Sequence, residues 1–382
     1  MMESWNEVRI GDLFEIKAGG DLQGGSYSPC KTEHAKWAIY ANSLENKGLY
    51  GYTSEPRYRG NAVTITGRGD IGHAEFRDED FDAIVRLLVL LPKVDVDCRY
   101  ITYYINSLVH FPIESTGVPQ LTAPKVKRIK INLPQKAEQT AIANILSKVD
   151  EAIASVQNSI AAAERLKKSL MQNLLTGKMK PDGTFRTPDE FYIDEKFGKV
   201  PVGWEVKKIK HCFKFKNGKG NTTSNLKEIP SDEYCIPVYG GNGITGYYHQ
   251  ALLEKPTIIV GRVGEYCGNV FKTVEKSWVT DNAMLVSEVL MDSYNIDFFT
   301  MKMNSLKFKQ YGDTTGQPKI TQSSIGGISF AYPHDVKEQN MIALMILSVQ
   351  EFVEKQKRMR NTIERLKKSL MQNLLTKKIR IM

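Results

Sequence analysis

The sequence predicts an α+β protein built from two copies of one unit, each a β-rich domain followed by a long helix. Two observations lead to this prediction. The segment ERLKKSLMQNLLT occurs at 164–176 and again at 364–376, and Glu-Gln pairs at 138–139 and 338–339 extend the similarity backwards at the same spacing of 200 residues. The stretches before the helices differ in sequence but share β-branched runs broken by glycines. We therefore expect a duplication of a whole domain together with its helix.

Length and composition limit the class of protein. The chain has 382 residues, 41% of them hydrophobic, and 52 Lys+Arg against 43 Asp+Glu give a formal net charge of +9. This length predicts about two globular domains, and the apolar content excludes a largely disordered chain. Because the sequence shows neither a run of about 18 apolar residues nor the pattern of a signal peptide, we expect a cytoplasmic protein. The positive charge favours a polyanionic partner.

Both long helices are predicted from the spacing of apolar residues. From Ile142 to Ala163 these residues recur at alternating steps of four and three, and the second copy repeats the spacing with one polar interruption at Gln356. A helix of about 40 residues is a rod of roughly 60 Å. Each rod has one apolar stripe, so we expect the two stripes to be buried against each other. The alternative is two unrelated surface helices, each packed on its own domain.

Helix signals and composition define the remaining boundaries. Asp335 and Glu338 have the spacing of a capping box at the start of the second helix. The stretch between the units is rich in proline, glycine and charge, which is typical of a linker. The predicted segments are a first domain at 1–135, a first helix at 136–176, a linker at 177–203, a second domain at 204–334 and a second helix at 335–378.

No motif for catalysis or metal binding can be recognised. The 5 cysteines are too far apart in sequence for a zinc ribbon or a disulfide framework. The chain lacks a Walker A pattern and the Asn-Pro-Pro or Asp-Pro-Pro motif that a DNA methyltransferase needs. We therefore expect no catalytic residues, no metal site and no cofactor. A hydrolase whose residues meet only in space stays an open alternative.

Glycine-rich turns provide the first candidate binding residues. Arg68 lies in the turn Gly67 to Gly72, and Arg262 lies in a similar turn that begins at Gly261. An arginine in such a turn can reach phosphates or the edge of guanine, but it can equally pair with a local acid. Other basic and aromatic residues suited to a DNA backbone are Lys17, Arg57, Arg59, Lys125, Lys127, Lys216, Lys219, Tyr247 and Lys319, although any single one can be a solvated surface residue.

The identical helical stretches predict one partner surface that is used twice. Divergent domains joined to near-identical helices imply two different tasks for the two parts of each unit. The candidate partner-binding residues are Leu166, Lys167, Leu170 and Leu174 in the first copy and Leu366, Lys367, Leu370 and Leu374 in the second.

Taken together, these motifs resemble the specificity (S, HsdS) subunit of type I restriction-modification systems. The resemblance covers the whole chain: a Trp-to-Gly opening at 5–19 and 204–218, a GRxG-type turn, a TGxPxLT-type turn at 116–122 and 315–321, a Pro and then Glu-Gln helix start, and LKKSLMQNLLTGK. Each motif alone is weak, but their order, duplication and spacing make the match specific.

The resemblance implies a division of labour. Each target recognition domain would read one half of a bipartite, asymmetric DNA site, and the helices would pair as an antiparallel coiled coil with pseudo-two-fold symmetry. Two modification (M) subunits, which use S-adenosylmethionine to methylate adenine at N6, would dock on the helices. Restriction (R) subunits with ATP and Mg would add cleavage in the defence against foreign DNA. The competing hypothesis is an autonomous DNA-binding or architectural protein without enzyme partners.

Overall fold

The computed structural model describes residues 5–111, 119–220, 225–313 and 318–381. The chain divides into two units that do not coincide with the two sequence repeats. The first unit comprises residues 1–157 and 358–382, and the second comprises residues 158–357. Each unit therefore combines one β-rich domain with a half of each long helix.

Short strands and three short helices form the β-rich part of the first unit. The strands are β1 (Asn6–Arg9), β2 (Phe14–Ala18), β3 (Tyr27–Ser28), β4 (Trp37–Tyr40), β5 (Leu49–Thr53), β6 (Ala62–Ile65), β7 (Ala74–Arg77), β8 (Phe81–Ala83), β9 (Leu88–Pro92) and β10 (Lys130–Leu133). The helices are α1 (Ile10–Leu13), α2 (Cys98–Leu108) and α3 (Ala123–Lys127), and the long helix α4 (Lys136–Leu174) follows β10. The strand orders are β2-β9-β6-β7, β3-β5-β4-β8 and β1-β10.

The second unit repeats this architecture after an additional hairpin. Its strands are β11 (Phe191–Asp194), β12 (Gly198–Pro201), β13 (Trp204–Lys208), β14 (Phe213–Asn217), β15 (Ile236–Gly240), β16 (Gly243–Tyr248), β17 (Ile258–Gly261), β18 (Val270–Lys272), β19 (Trp278–Val279), β20 (Ala283–Val289) and β21 (Ser329–Pro333). Its helices are α5 (Ile209–Cys212), α6 (Ile296–Ser305), α7 (Gln322–Gly326) and the long helix α8 (Val336–Leu374). The orders β14-β20-β17-β18, β16-β15-β19 and β13-β21 match those of the first unit, except that β16-β15-β19 has no strand equivalent to β3 among the described residues. The predicted α+β duplication is confirmed.

The long helices have 39 residues each and end at Leu174 and Leu374, earlier than predicted. The chain leaves α4 through Gly177, which has a φ of 69°, and leaves α8 through Lys377, which has a φ of 64°. Glycine adopts this left-handed conformation without strain and is common just beyond a helix end. Lys377, which stands where the first copy has Gly177, adopts the same left-handed conformation, so the backbone of the two helix ends is the same despite the change of residue.

The ends of the apolar stripes of the long helices are buried in the β-rich domains. In the first unit, Ile142 and Leu146 of α4 and Leu374 of α8 share one core with Phe14 and Tyr100. The second unit has the corresponding arrangement, with the start of α8 and the end of α4 in its core. The domains therefore cover the ends of the stripes, and burial of the middle parts against each other stays a prediction.

Ion pairs also join the two long helices inside each unit. Lys367 of α8 lies 2.6 Å from Asp150 of α4 in the first unit. In the second unit Lys357 of α8 lies 2.9 Å from Glu164 of α4. A continuous antiparallel coiled coil stays a prediction.

Each Glu-Gln pair anchors a helix start to its own domain. Gln139 accepts a hydrogen bond from the backbone of Asp97 at 2.9 Å and donates to the carbonyl of Pro134 at 2.8 Å. Gln339 makes the same contacts with Asn295 and Pro333, both at 2.9 Å. Buried side-chain amides that use both donor and acceptor fix the entry of a helix. This geometry explains why the pair recurs in both units.

The glutamate of each pair binds a tryptophan and an arginine instead of its own helix start. Glu338 accepts from the indole of Trp204 at 3.0 Å and from Arg186 at 2.6 Å. Asp335 caps the backbone N–H of Lys337 at 2.8 Å. The predicted capping box is therefore only half formed, because the carboxylate of Glu338 is engaged elsewhere.

The predicted linker at 177–203 is folded. It contains the antiparallel hairpin β11–β12, and Arg186 within it is the partner of Glu338. The side chain of Arg186 is only 7% exposed. The proline, glycine and charged residues of segment 177–203 form tight turns and ion pairs, so the segment is not a flexible linker.

Candidate nucleic-acid interface

The first glycine turn, residues 66–73, follows β6. The backbone N–H of Thr66 donates to the carbonyl of His73 at 2.9 Å, and that of Gly72 donates to the carbonyl of Thr66 at 2.8 Å. Gly69 and Gly72 have φ values of 67° and 92°, which favour glycine. Backbone hydrogen bonds therefore close this turn.

The second glycine turn, residues 261–269, follows β17 and is closed in the same way. Gly261 donates to the carbonyl of Asn269 and Gly268 donates to the carbonyl of Gly261, both at 2.9 Å. Gly264 and Gly268 have φ values of 82° and 88°. A β carbon at Gly268 would lie 2.5 Å from a backbone nitrogen of another segment. Only glycine fits there.

A TGxPxLT segment lies directly beside each glycine turn. The backbone N–H of Leu121 donates to the carbonyl of Gly67 at 2.9 Å, and that of Ile320 donates to the carbonyl of Arg262 at 2.7 Å. The Thr-Gly pairs that open both segments lie outside the described residues. Two motifs far apart in sequence thus form one surface in each unit.

These hydrogen bonds show that the two predicted arginines are not equivalent. The residues that accept from the TGxPxLT segments are Gly67 in the first unit and Arg262 in the second. Arg68 therefore matches Val263, one position further along the turn. The sequence interpretation, which aligned Arg68 with Arg262, is corrected by one residue.

The environments of the two arginines also differ. Arg68 is half-buried, and its Nε atom is buried without a hydrogen-bond partner among the described residues. Arg262 donates from Nη1 to the carbonyl of Asp281 at 2.8 Å. A buried donor without a partner is costly. Arg68 thus lacks an internal partner for its Nε atom among the described residues, whereas Arg262 is held in place by its own unit.

A family model described as the type I restriction modification DNA specificity domain matches residues 2–165 and, again, residues 201–365. The two matches correspond to the two repeats and together cover most of the chain. The chain belongs to this family. Specificity subunits of type I systems are non-catalytic, which agrees with the lack of recognisable catalytic motifs in this specificity subunit.

Relatives support the assignment along the whole length. The specificity subunit of the MjaVIII type I restriction enzyme from Methanocaldococcus jannaschii is 25% identical over 411 residues, covering 99% of this chain and 94% of the relative. The EcoprrI specificity subunit of Escherichia coli is 26% identical over 158 residues, covering 41% of this chain and 39% of the relative. The crystal structure of the type I S subunit from M. genitalium has a TM-score of 0.68 and 18% identity, covering 97% of this chain and 96% of that one. This structure shows the same fold.

A strained loop beside the first glycine turn was missed by the sequence reasoning. Val85 and Arg86 of this specificity subunit are exposed and have φ values of 55° and 59°. Asn42 joins the loop to the turn, because its amide donates to the carbonyl of Val85 at 2.5 Å and accepts from the N–H of Gly67 at 2.7 Å. Non-glycine residues with such φ values often lie at functional sites. Since valine and arginine carry no sequence signal for this conformation, Arg86 is a candidate that only the structure identifies.

Arg57 is held by contacts within the first unit, and its role as a DNA contact stays a prediction. Its Nε and Nη2 atoms lie 2.5 Å and 2.9 Å from the two oxygens of Asp82, a residue that is 1% exposed. Nη2 also donates to the carbonyl of Ala83 at 3.1 Å. The side-chain hydrogen bonds to the carboxylate raise the pKa of Arg57. These contacts fix the orientation of the Arg57 guanidinium group.

The other predicted cations of the first unit lie near its surface. Lys17 is exposed on β2 and lies 3.2 Å from Glu15. Arg59 is exposed in the loop after β5, and Lys127 is exposed on α3. Lys125, also on α3, is half-buried and has a partner within the chain. Lys17, Arg59 and Lys127 therefore stay available for DNA.

The other predicted residues of the second unit lie on several different elements. Lys319 is exposed and pairs through its backbone with Val263 of the turn. Lys219 is exposed, and its ammonium lies 5.8 Å from the ring centroid of Trp278. Lys216 is exposed on β14, and Tyr247 is half-buried on β16. Of this set, only Lys319 is part of the turn surface itself.

An aromatic cluster in the second unit extends beyond the predicted Tyr247. The ring centroids of Tyr248 and His249 lie 4.1 Å apart, and those of Tyr248 and Trp278 lie 5.5 Å apart. The sequence signal for this cluster is the run of aromatic residues at the end of β16. Its connection to Trp278 could not be inferred, because that residue comes from a distant strand.

The predicted partner-binding leucines divide into buried and exposed residues. Leu170, Leu174 and Leu374 are 8%, 0% and 2% exposed and lie in the cores of the units. Leu166 and Leu366 are 51% and 52% exposed. Leu370, Lys167 and Lys367 are half-buried. Only the exposed part of each repeat remains free for a partner.

Metal and membrane sites are not indicated in the described part of the chain. Within those ranges, no group of three or more His, Cys, Asp or Glu residues is placed to hold a metal ion. None of the described helices is both long and apolar enough to cross a membrane.

Proposed function

We propose that this chain reads a bipartite, asymmetric DNA site, with one half-site for each unit. The observation that supports this proposal best is the duplicated pairing of a glycine turn with a TGxPxLT segment on two divergent domains. Arg68 and Arg262 stand at successive positions of the turn, so the two units present different groups to DNA. Phosphate contacts hold a protein on DNA, and base contacts select sequence.

The partners in this proposal are two M subunits and, for cleavage, R subunits. The exposed residues Leu166 and Leu366 and the adjacent lysines of the identical repeats would dock the M subunits. S-adenosylmethionine would be bound by the M subunits and ATP with Mg by the R subunits, whereas this chain would hold no cofactor of its own.

Reconstitution tests this function against an autonomous DNA-binding role. The purified chain is incubated with DNA and S-adenosylmethionine, alone and together with the methyltransferase encoded beside it. Adenine methylation at one split motif, only in the presence of the partner, is the expected result. Equally tight, sequence-specific DNA binding without the partner and no methylation with it would favour the autonomous alternative.

Substitutions separate base contacts from phosphate contacts. Arg68→Ala and Arg262→Ala should each relax base choice in one half-site by about 1–3 kcal/mol, the value of a bidentate contact with guanine. Lys216→Ala should weaken binding to all sequences and lower the salt slope by about one unit. If all three variants change specific and nonspecific binding equally, the arginines are phosphate contacts.

A further inference from the structure

A cleft in the second unit has no role in the proposed reading of DNA. It has a volume of about 510 Å³ and lies where α4 ends and the hairpin β11–β12 begins. This volume falls in the range of small-molecule sites, roughly 300–1,000 Å³. Its lining combines aromatic rings and cations, namely Phe185, Phe191, Phe197, Lys178, Arg186, Lys199 and Lys302, with Thr176, Pro201 and Ala331.

Positive charge in the cleft is only partly compensated. Arg186 is paired with Glu338 at 2.6 Å. Lys178, Lys199 and Lys302 form no ion pair with any described residue, and the lining contains no carboxylate. Three ammonium groups that share one cleft without a counter-charge favour an anionic ligand.

Lys302 provides a buried charge at the inner side of this cleft. The residue is 6% exposed. Its ammonium donates to the carbonyl of Leu175 at 2.5 Å and lies 5.5 Å from the ring centroid of Trp204. Burial lowers the pKa of Lys302 to about 8. An ammonium has three donors, and among the described residues only the carbonyl of Leu175 accepts from this one, which leaves two donors for a ligand.

The fold itself does not require a lysine at this position. Asp97 and Asn295 are the N-cap residues of the equivalent helices α2 and α6. The residue seven positions after each N-cap is Tyr104 in the first unit and Lys302 in the second. The first unit therefore builds the same helix with a neutral side chain.

The aromatic side of the cleft is unusually exposed. The side chains of Phe185 and Phe197 are 63% and 39% exposed. The ammonium of Lys199 lies 4.6 Å from the ring centroid of Phe191. Phenyl rings that remain in water can stack on a planar ligand, as aromatic residues stack on nucleobases.

We propose that this cleft binds a nucleoside phosphate, with the phosphate at the lysine ammonium groups and the base against the phenylalanine rings. A phosphate monoester carries a charge of about −1.5 to −2 near neutral pH and thus offsets more of the positive charge than a carboxylate does. The cleft residues do not belong to the glycine turns, so this proposal does not depend on the proposed DNA readout.

Calorimetric titration of the full chain with adenosine monophosphate tests the proposal. Adenosine and inorganic phosphate, titrated separately, show whether both parts of the ligand contribute. The monophosphate should bind at least about tenfold more tightly than either part, and Lys199→Met should weaken it by about tenfold. Lys196→Met is the matched control, because Lys196 is exposed on the same hairpin but does not line the cleft. Unfolding midpoints confirm that both variants are folded.

Several results would overturn this proposal. One is the absence of binding at about 1 mM monophosphate, the range of a very weak site. Inorganic phosphate that binds as tightly as the monophosphate would exclude a role of the rings, and equal weakening in Lys196→Met would exclude the cleft. If Lys178→Met and Lys199→Met lower DNA affinity while no monophosphate binds, these lysines contact DNA instead.

Discussion

The buried ammonium of Lys302 should make the stability of the protein depend on pH in a defined direction. Its pKa falls from 10.5 to about 8 because burial disfavours the charged form. The folded state therefore releases this proton near pH 8, whereas the unfolded chain keeps it until about pH 10.5. Between these values the unfolded state binds more protons, so the free energy of unfolding rises with pH.

The magnitude follows from the size of the pKa change. One pKa unit corresponds to about 1.36 kcal/mol, so the buried charge costs the folded state about 3 kcal/mol at pH 7. The same relation gives a cost of about 1 kcal/mol at pH 9.5. Lys302→Met removes this cost together with the hydrogen bond to Leu175. The amine can donate this bond in either protonation state, so its loss costs about 0.5–1.5 kcal/mol at both pH values. The difference in unfolding free energy between the two proteins should thus change by about 2 kcal/mol between these pH values.

Urea denaturation of the two proteins at about pH 7 and about pH 9.5 measures this difference. Other titrating groups are the same in both proteins, so their effects cancel. The wild-type protein should gain stability relative to Lys302→Met as the pH rises. A difference that stays constant, or that changes in favour of Lys302→Met, would refute a buried, charged Lys302.

Three further predictions concern the fold, the docking surface and the helices. Arg57→Ala should lower the free energy of unfolding by about 2–3 kcal/mol in urea denaturation, because the buried carboxylate of Asp82 loses its cation. Unchanged stability together with an altered choice of half-site would show that Arg57 contacts DNA instead. Leu174→Ala should lower the free energy of unfolding by about 2–5 kcal/mol, whereas Leu166→Ala should lower it by less than about 1 kcal/mol. Leu166→Ala should instead weaken binding of the M subunit, measured by light scattering. Unchanged assembly of this variant would exclude the proposed docking site. Insertion of four residues after Val156 adds about 6 Å and should widen the gap between half-sites by one or two base pairs in the methylome. A two-residue insertion rotates the apolar stripe by about 200° and should abolish assembly. Full activity and an unchanged gap in the four-residue variant would mean that elements other than the helices hold the domains apart.

The duplication was predictable because repeated sequence requires repeated structure. Trp5 and Glu138 recur as Trp204 and Glu338, and both pairs form the same indole–carboxylate contact. The division into units was not predictable from the repeats. Apolar residues at the end of each long helix complete the core of the other repeat's domain, and helical periodicity does not reveal which domain covers a stripe.

The candidate site was predictable at the level of motifs but not of single side chains. The glycine turns and TGxPxLT segments were recognised, yet their hydrogen bonds were needed to place Arg68 and Arg262 in register. The ion pair of Arg57 could not be predicted, because its buried partner, Asp82, lies 25 residues away in sequence. Arg86 was missed because its backbone conformation is imposed by surrounding contacts rather than by its own preference.

Exchange of one recognition domain tests the central claim most directly. Residues 204–334 are replaced by the corresponding domain of a relative, and the methylome of a strain that also carries the M subunit is sequenced. One half of the methylated motif should change to that of the donor, while the other half and the gap stay as in the parent. A motif that changes in both halves, or in neither, would contradict the assignment of one half-site to each unit.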